Sequence, residues 1–155
     1  MIENIAFPRP GQIEVGATGE IRPVTGMPFD FTAASRIGAR IDEEDEQLGF
    51  GKGYNHNYIQ NKPAGALGLA ARVHEPASGR VREVLTTEPG LHFYSGNALE
   101  GSYLGKGGRA CSRRGAFCME PQHYPDSPNK RSFPSVALRA GELYRKIMIF
   151  RFPTR

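Results

Sequence analysis

The fold is predicted first from the stretch Gly115-Ala-Phe-Cys-Met-Glu-Pro-Gln-His-Tyr-Pro-Asp-Ser-Pro-Asn129, in which an apolar run ends in a carboxylate. The run from Ala116 to Met119 is short and apolar, as is typical of a β-strand, and Pro121 cannot donate the next ladder hydrogen bond. Glu120 is therefore predicted at a strand end, beside half-buried surface. A carboxylate in that position can act as a base. It can equally pair with an arginine or cap a turn.

Composition predicts an all-β protein. The 155 residues correspond to one domain, residues 1–155, and 19 Gly and 12 Pro separate short apolar runs.

The clearest hairpin runs from Leu67 to Val73, turns at residues 76–79 and returns from Arg80 to Thr87, with alternate residues of the first arm on one face. The run from Tyr144 to Phe152 is apolar on both parities at its centre, which predicts a strand covered on both faces in the middle of a sandwich.

Charge and cysteine usage narrow the classes of partner. The net charge is +4 and the pI is about 9.3, but basic residues such as Arg113 and Arg114 form separate pairs rather than a stripe. We therefore expect no nucleic-acid partner. Cys111 and Cys118 are too few for a disulfide scaffold, and no His/Cys spacing suits a metal. The first residues have no basic and apolar leader, and no run is long enough to span a membrane, so we expect a cytoplasmic protein with no membrane partner.

The acidic block from Asp42 to Glu46 raises the possibility of a calcium loop. An EF-hand loop that starts at Asp42 needs glycine at its sixth position, where this chain has Gln47. We therefore interpret the block as a solvated acidic face.

Motifs in a fixed order along the chain identify a family. They are Thr18-Gly-Glu20, Pro28-Phe-Asp-Phe31, Gly51-Lys-Gly-Tyr54, Glu88-Pro-Gly90, Phe93-Tyr-Ser-Gly-Asn97, Phe117-Cys-Met-Glu-Pro-Gln-His123, Phe133-Pro-Ser135 and Gly141-Glu142. In this order they resemble the C-terminal half of the aldose 1-epimerase (galactose mutarotase) family. The resemblance implies an antiparallel β-sandwich of the galactose mutarotase type, present here as a partial sandwich. It also implies a short helix over Ser35 to Asp45, with Ile37 and Ile41 on one face.

The resemblance also implies a chemistry. Aldose 1-epimerases interconvert the α and β anomers of hexoses by acid–base ring opening, without a metal or cofactor. By motif position Glu120 matches the family's catalytic base, while Asn55 and His92 match two sugar contacts. Family members usually carry Asp at the first contact and Gln at the second. Asn55 keeps an acceptor oxygen without the charge, and the imidazole of His92 can still donate or accept a hydrogen bond.

The acid partner is the departure from the family pattern. Its general-acid His lies in an Asn-His-x-Tyr-Phe type motif and a second His in a His-Gly-Gly type motif, and neither occurs in this sequence. His56 and His123 are expected to make structural hydrogen bonds, and His74 is expected near solvent at the hairpin turn.

Three hypotheses remain open. The first is a truncated epimerase that acts on a glucose- or galactose-class sugar with weak or no activity alone. The second is a non-enzymatic carbohydrate-binding or interaction module. The third and least favoured is a nucleic-acid binder. Self-association, or a partner that supplies missing strands, is expected to cover exposed apolar surface.

Overall fold

The computed structural model describes residues 4–6, 12–16 and 18–154. Within these ranges the strands are β1 (Asn4–Ala6), β2 (Gln12–Val15), β3 (Glu20–Pro23), β4 (Ser35–Arg36), β5 (Asn55–Ile59), β6 (Gly68–Glu75), β7 (Arg80–Thr86), β8 (Gly90–Tyr94), β9 (Cys118–Gln122) and β10 (Met148–Arg151). The helical elements are α1 (Glu46–Gly51) and single 3-10 turns at Ile37–Ala39, Lys106–Gly108 and Ser127–Asn129. No helix in the described ranges has the length and apolar character needed to cross a membrane.

The strands form two five-stranded antiparallel sheets. Sheet I has the order β10-β7-β6-β1-β4, and sheet II has the order β3-β2-β5-β8-β9. One buried cluster contains side chains of both sheets, with Ile5 and Val84 from sheet I and Ile13, Leu91 and Phe93 from sheet II. The sheets therefore pack face to face, and the predicted all-β sandwich is confirmed.

Aromatic rings fill the centre of this core. Tyr54 and Phe31 meet edge to face with centroids 5.2 Å apart, and Phe93 lies 5.5 Å from Tyr54. Both Tyr54 and Phe93 are fully buried. Each such pair adds about 0.5–1.5 kcal/mol beyond the burial of its apolar area, so this cluster fixes β5 and β8 against each other.

The predicted hairpin is confirmed as β6 and β7, but its first arm does not keep one alternation. The register shifts between Leu69, which pairs with Leu85, and Ala71, which pairs with Val84. Since Val84 and Leu85 are consecutive and face opposite ways, Leu69 and Ala71 also face opposite ways. The bulge therefore turns only the second half of the arm toward the core.

The helix predicted over Ser35 to Asp45 is wrong. The segment instead holds β4 and the 3-10 turn at Ile37–Ala39, although Ile37 and Ile41 are both buried as expected. The helix begins later because the Asp45 carboxylate accepts the backbone N–H of Gln47 at 2.8 Å, which makes Asp45 the N-cap of α1. Part of the acidic block is thus a helix cap rather than only a solvated face.

The doubly covered strand predicted over Tyr144 to Phe152 is also wrong. In the described chain β10 pairs with β7 alone and lies at the edge of sheet I. Met148 is 52% exposed and Phe150 is 41% exposed, although both lie on the same face as buried Val84. Sheet II does not extend over this edge, so the apolar residues Met148 and Phe150 of β10 remain exposed.

Candidate functional site

The candidate site lies on the outer face of sheet II. His92 of β8 stands opposite Asn57 of β5 on one side and opposite Glu120 of β9 on the other. Directly paired residues of an antiparallel ladder share a face, with Cβ atoms about 4.5–5.5 Å apart. The neighbouring residues Phe93 and Met119 point inward to the core, so the alternation of these strands sends His92 and Glu120 outward.

The three residues predicted from the family pattern come together at one depression. Its volume is about 330 Å³, and its lining consists of Asn55, His92, Tyr94, Glu120 and Gln122. Glu120 and Asn55 are exposed, whereas His92 is partly buried between them. The arrangement offers a carboxylate and several hydrogen-bonding groups on one open surface.

Tyr94 and Gln122 were not predicted as site residues. Each lies two positions beyond a predicted residue on the same strand, Tyr94 after His92 and Gln122 after Glu120. Because side chains two positions apart in a strand lie on the same face, the alternation of the sequence could have identified both residues. The Tyr94 hydroxyl accepts the backbone N–H of Ala98 at 2.9 Å, which leaves its own proton free to be donated.

Asn55 and His92 bind each other. His92 Nε2 lies 2.8 Å from Asn55 Oδ1, and with an amide oxygen as acceptor the ring carries its proton on Nε2. Burial lowers the pKa of His92, while the charge of Glu120 acts in the opposite direction. The ring is therefore neutral at neutral pH, and its Nε2–H engages the Oδ1 of Asn55.

Residues next to β5 and β8 hold these strands in place. Asn97 Nδ2 donates to the backbone oxygens of Gly51 at 2.9 Å and of Tyr54 at 3.0 Å, and Ser95 donates to the oxygen of Tyr54. A Cβ at Gly53 would lie 2.5 Å from Asn97 Oδ1, and Gly53 has a φ of +130°. This close approach requires glycine and fixes the chain just before Asn55.

Two other histidines have structural partners. His56 accepts the backbone N–H of Asn55 at 3.0 Å, and burial lowers the pKa of His56 to about 4, so its ring stays neutral. His123 Nδ1 lies 2.9 Å from a carboxylate oxygen of buried Glu88. Neither ring lines the depression. Among the described residues, no group of three or more His, Cys, Asp or Glu side chains could hold a metal ion.

Comparisons with known proteins agree with this fold and surface. A sequence model of the family Aldose 1-epimerase matches residues 2–151. Human galactose mutarotase is 42% identical over 135 residues, which are 87% of this chain and 38% of that protein. Aldose 1-epimerase of Escherichia coli (strain K12) is 31% identical over 134 residues, which are 85% of this chain and 38% of that protein.

Solved structures give the same result. The GalM/aldose epimerase homologue from C. elegans superposes with a TM-score of 0.84 at 25% identity, covering 99% of this chain and 46% of that chain. Galactose 1-epimerase from Lactobacillus acidophilus has the same fold, with a TM-score of 0.71 at 18% identity. The chain spans about 38% of the length of the curated relatives it matches. On the match of its sequence from residue 2 to residue 151, the chain belongs to the aldose 1-epimerase family.

Proposed function

We propose that this chain carries the base side of a mutarotase site, on which hexoses exchange between their α and β anomers. The observation that supports the proposal is the meeting of Glu120, Asn55 and His92 at one depression on sheet II. Glu120 is solvent-accessible at the rim, where a sugar hydroxyl can reach it, and Asn55 and His92 offer hydrogen bonds beside it.

The proposed reaction moves protons only. Glu120 takes the proton of the anomeric hydroxyl, whose electron pair then forms the carbonyl as the bond from the anomeric carbon to the ring oxygen breaks. The ring oxygen gains a proton from a general acid on the other side. Rotation about the bond to the next carbon and reclosure by the reverse steps give the other anomer.

The acid has to come from outside the motifs of these 155 residues. The sequence contains neither of the family's His motifs, and the described histidines His56 and His123 are engaged in the fold. We therefore propose that full activity requires another polypeptide segment, and that this chain alone has weak or no activity.

Polarimetry of mutarotation, run beside a sugar titration followed by NMR, tests the proposal with glucose and galactose. If activity is measurable, Glu120→Gln should lower it about 10²–10⁴-fold, because that is the usual contribution of a general base. Glu44→Gln is a matched control, since Glu44 is an exposed carboxylate that does not line the depression. Activity of the Glu120 variant within about twofold of the parent would refute the assignment of the base.

A second candidate function is a carbohydrate-binding or interaction module without catalysis. Its support is the apolar surface outside the depression, where Leu143 is 86% exposed, Phe152 is 72% exposed and Leu138 is 56% exposed. Exposed apolar side chains mark an interaction site where they form one contiguous patch. We propose that a second copy of the chain, or a partner that supplies strands, covers this apolar surface. In this proposal residues 1–155 act as one domain and the protein is cytoplasmic. Sugar binding by NMR without any mutarotation would favour this candidate.

A further inference from the structure

Glu14 of β2 is a buried carboxyl group on the same face of sheet II as Glu120. The residue is 2% exposed. Asn57 Nδ2 donates to Glu14 Oε2 at 3.4 Å, whereas Glu14 Oε1 is buried and has no hydrogen-bond partner among the described residues. A buried carboxyl oxygen without a partner is costly, which raises the question of what this group does.

The unpaired atoms continue along one cross-strand row. Asn57 pairs with His92, and His92 pairs with Glu120, so the row runs from Glu14 through these residues to the proposed base. Asn57 Oδ1 and His92 Nδ1 are also buried atoms without a hydrogen-bond partner in the described part of the chain. Three unpaired buried atoms thus lie on three successive residues of a single row.

The surroundings of Glu14 favour its protonated form. Burial raises the pKa of Glu14 to about 7; the charge of Asp126 adds to the rise, while Asn57 and Lys130 act against it. Tyr124 also faces this carboxyl group, and the pKa of Tyr124 is raised by burial and by the charge of Glu14. Glu14 therefore exchanges its proton close to neutral pH.

The amide of Asn57 has two possible orientations that depend on this proton. An ionised Glu14 can only accept, so it holds Asn57 Nδ2, as seen here, and leaves Oδ1 against β8. A protonated Glu14 can donate to Oδ1, which turns the NH₂ group toward β8. Asn57 lies flat on that strand, since a Cβ at Gly90 would come within 2.5 Å of its Oδ1. Gly90 and His92 are two apart in β8 and share this face.

We propose that Glu14 is a positioning residue for the face that carries Glu120, and that its protonation state sets the amide orientation of Asn57 and thereby the environment of His92. The role in sugar chemistry rests on the function proposed above, because His92 is one of its sugar contacts. In the protonated state the turned amide directs its N–H groups at β8, the strand on which His92 Nδ1 has no hydrogen-bond partner among the described residues. In the ionised state the Asn57 amide directs its oxygen at β8. An oxygen there disfavours the tautomer of His92 with a lone pair on Nδ1, and this alters the hydrogen bond from His92 to Asn55.

The test uses the full chain without sugar. In protein labelled with ¹⁵N and ¹³C, the Glu14 carboxyl shift, the Asn57 side-chain amide shifts and the His92 ring nitrogen shifts are followed from pH 5 to pH 9. We expect all three to change together with one inflection near the pKa of Glu14. Because burial lowers the pKa of His92, the titration of the ring itself falls at lower pH and is assigned separately.

Two variants complete the test. Glu14→Gln, which mimics the protonated group, should remove the shared inflection. Glu20→Gln should keep it, because Glu20 is an exposed carboxylate of neighbouring β3 that pairs with Arg22. Should Glu14→Gln fail to fold, the wild-type titration still decides. An Asn57 amide that does not respond while the Glu14 carboxyl titrates overturns the proposal, as does an unchanged His92 inflection in Glu14→Gln.

The role in the reaction has a separate readout. If mutarotation is measurable, its kcat in Glu14→Gln should lose the change near the pKa of Glu14 that the wild type shows. Because the NMR experiment needs no sugar, it measures the coupling between Glu14 and His92 whether or not this chain alone is active. The proposed function fails separately, if Glu120→Gln leaves a measurable mutarotation unchanged.

Discussion

Replacement of Glu14 by glutamine should change how stability depends on pH. Burial raises the pKa of Glu14 from 4.5 to about 7, and each pKa unit corresponds to about 1.36 kcal/mol. The full shift would amount to about 3 kcal/mol. The hydrogen bond from Asn57 and the charge of Lys130 still favour the ionised form of this carboxyl group. We therefore take about 2 kcal/mol as the working value.

The direction of the pH dependence follows from the higher pKa of Glu14 in the folded state than in the unfolded chain. Below pH 4.5 the carboxyl group is protonated in both states and has no effect. Between pH 4.5 and about 7 the unfolded chain has lost the proton while the folded chain keeps it, so the wild type loses stability as the pH rises. Above about 7 the loss is complete. In Glu14→Gln this loss is absent, so the difference between variant and wild type grows by about 2 kcal/mol from pH 4.5 to pH 8.

Urea unfolding at pH 4.5, 6 and 8 measures this difference. The chain has no tryptophan, so far-UV circular dichroism is the suitable signal. The test uses only the change of the stability difference with pH, because the introduced glutamine amide can shift the stability by a constant amount at every pH. Glu20→Gln is the control and should leave the slope near that of the wild type between pH 6 and pH 8. A difference between Glu14→Gln and wild type that stays constant within about 0.5 kcal/mol across the series would refute the buried, protonated carboxyl.

Three further predictions concern the site, the core and the assembly. Asn55→Asp should tighten sugar binding about fivefold, or about 1 kcal/mol, through a charge-assisted hydrogen bond, and should raise the pKa of His92; weaker binding by NMR titration would contradict it. Phe93→Ala should cost about 3–5 kcal/mol in urea unfolding because Phe93 is fully buried, whereas Phe50→Ala should change stability by less than about 0.5 kcal/mol because Phe50 is 74% exposed. In light scattering after size exclusion the chain should show a mass that falls on dilution, and a monomer that binds no hydrophobic dye at any concentration would argue against covered apolar surface.

Local patterns predicted the strands that carry the site. The apolar run from Ala116 to Met119 predicted a strand, and the structure has β9 there, over Cys118–Gln122. The prediction that Glu120 ends this strand was wrong, because Pro121 continues β9 at the edge of sheet II, where its missing N–H is tolerated. The roles of Asn55 and His92 came from resemblance and not from any pattern. Their mutual hydrogen bond was not predicted, because it joins two strands whose pairing the spacing of residues does not specify.

Other features depend on contacts between distant parts of the chain. Nothing local marks Glu14 as buried, since the groups over it, Asp126 and Lys130, come from the opposite end of the sequence. The apolar pattern of β10 predicted a covered strand, but cover depends on which strands lie opposite. The helix predicted over Ser35 to Asp45 failed for a local reason. The prediction placed Asp45 as the last residue of that helix, but its carboxylate caps the start of α1.

The openness of the site follows from the position of β9 in sheet II. Strand β9 carries Glu120 and is the last strand of sheet II in the described chain, pairing only with β8. A base at such an edge stays hydrated, and water around it weakens its electrostatic interactions with a bound sugar. A polypeptide that packed beside β9 would cover the edge and partly desolvate Glu120. We therefore expect an added polypeptide that covers this edge and supplies the general acid to raise mutarotation, with its association and the activity falling together on dilution.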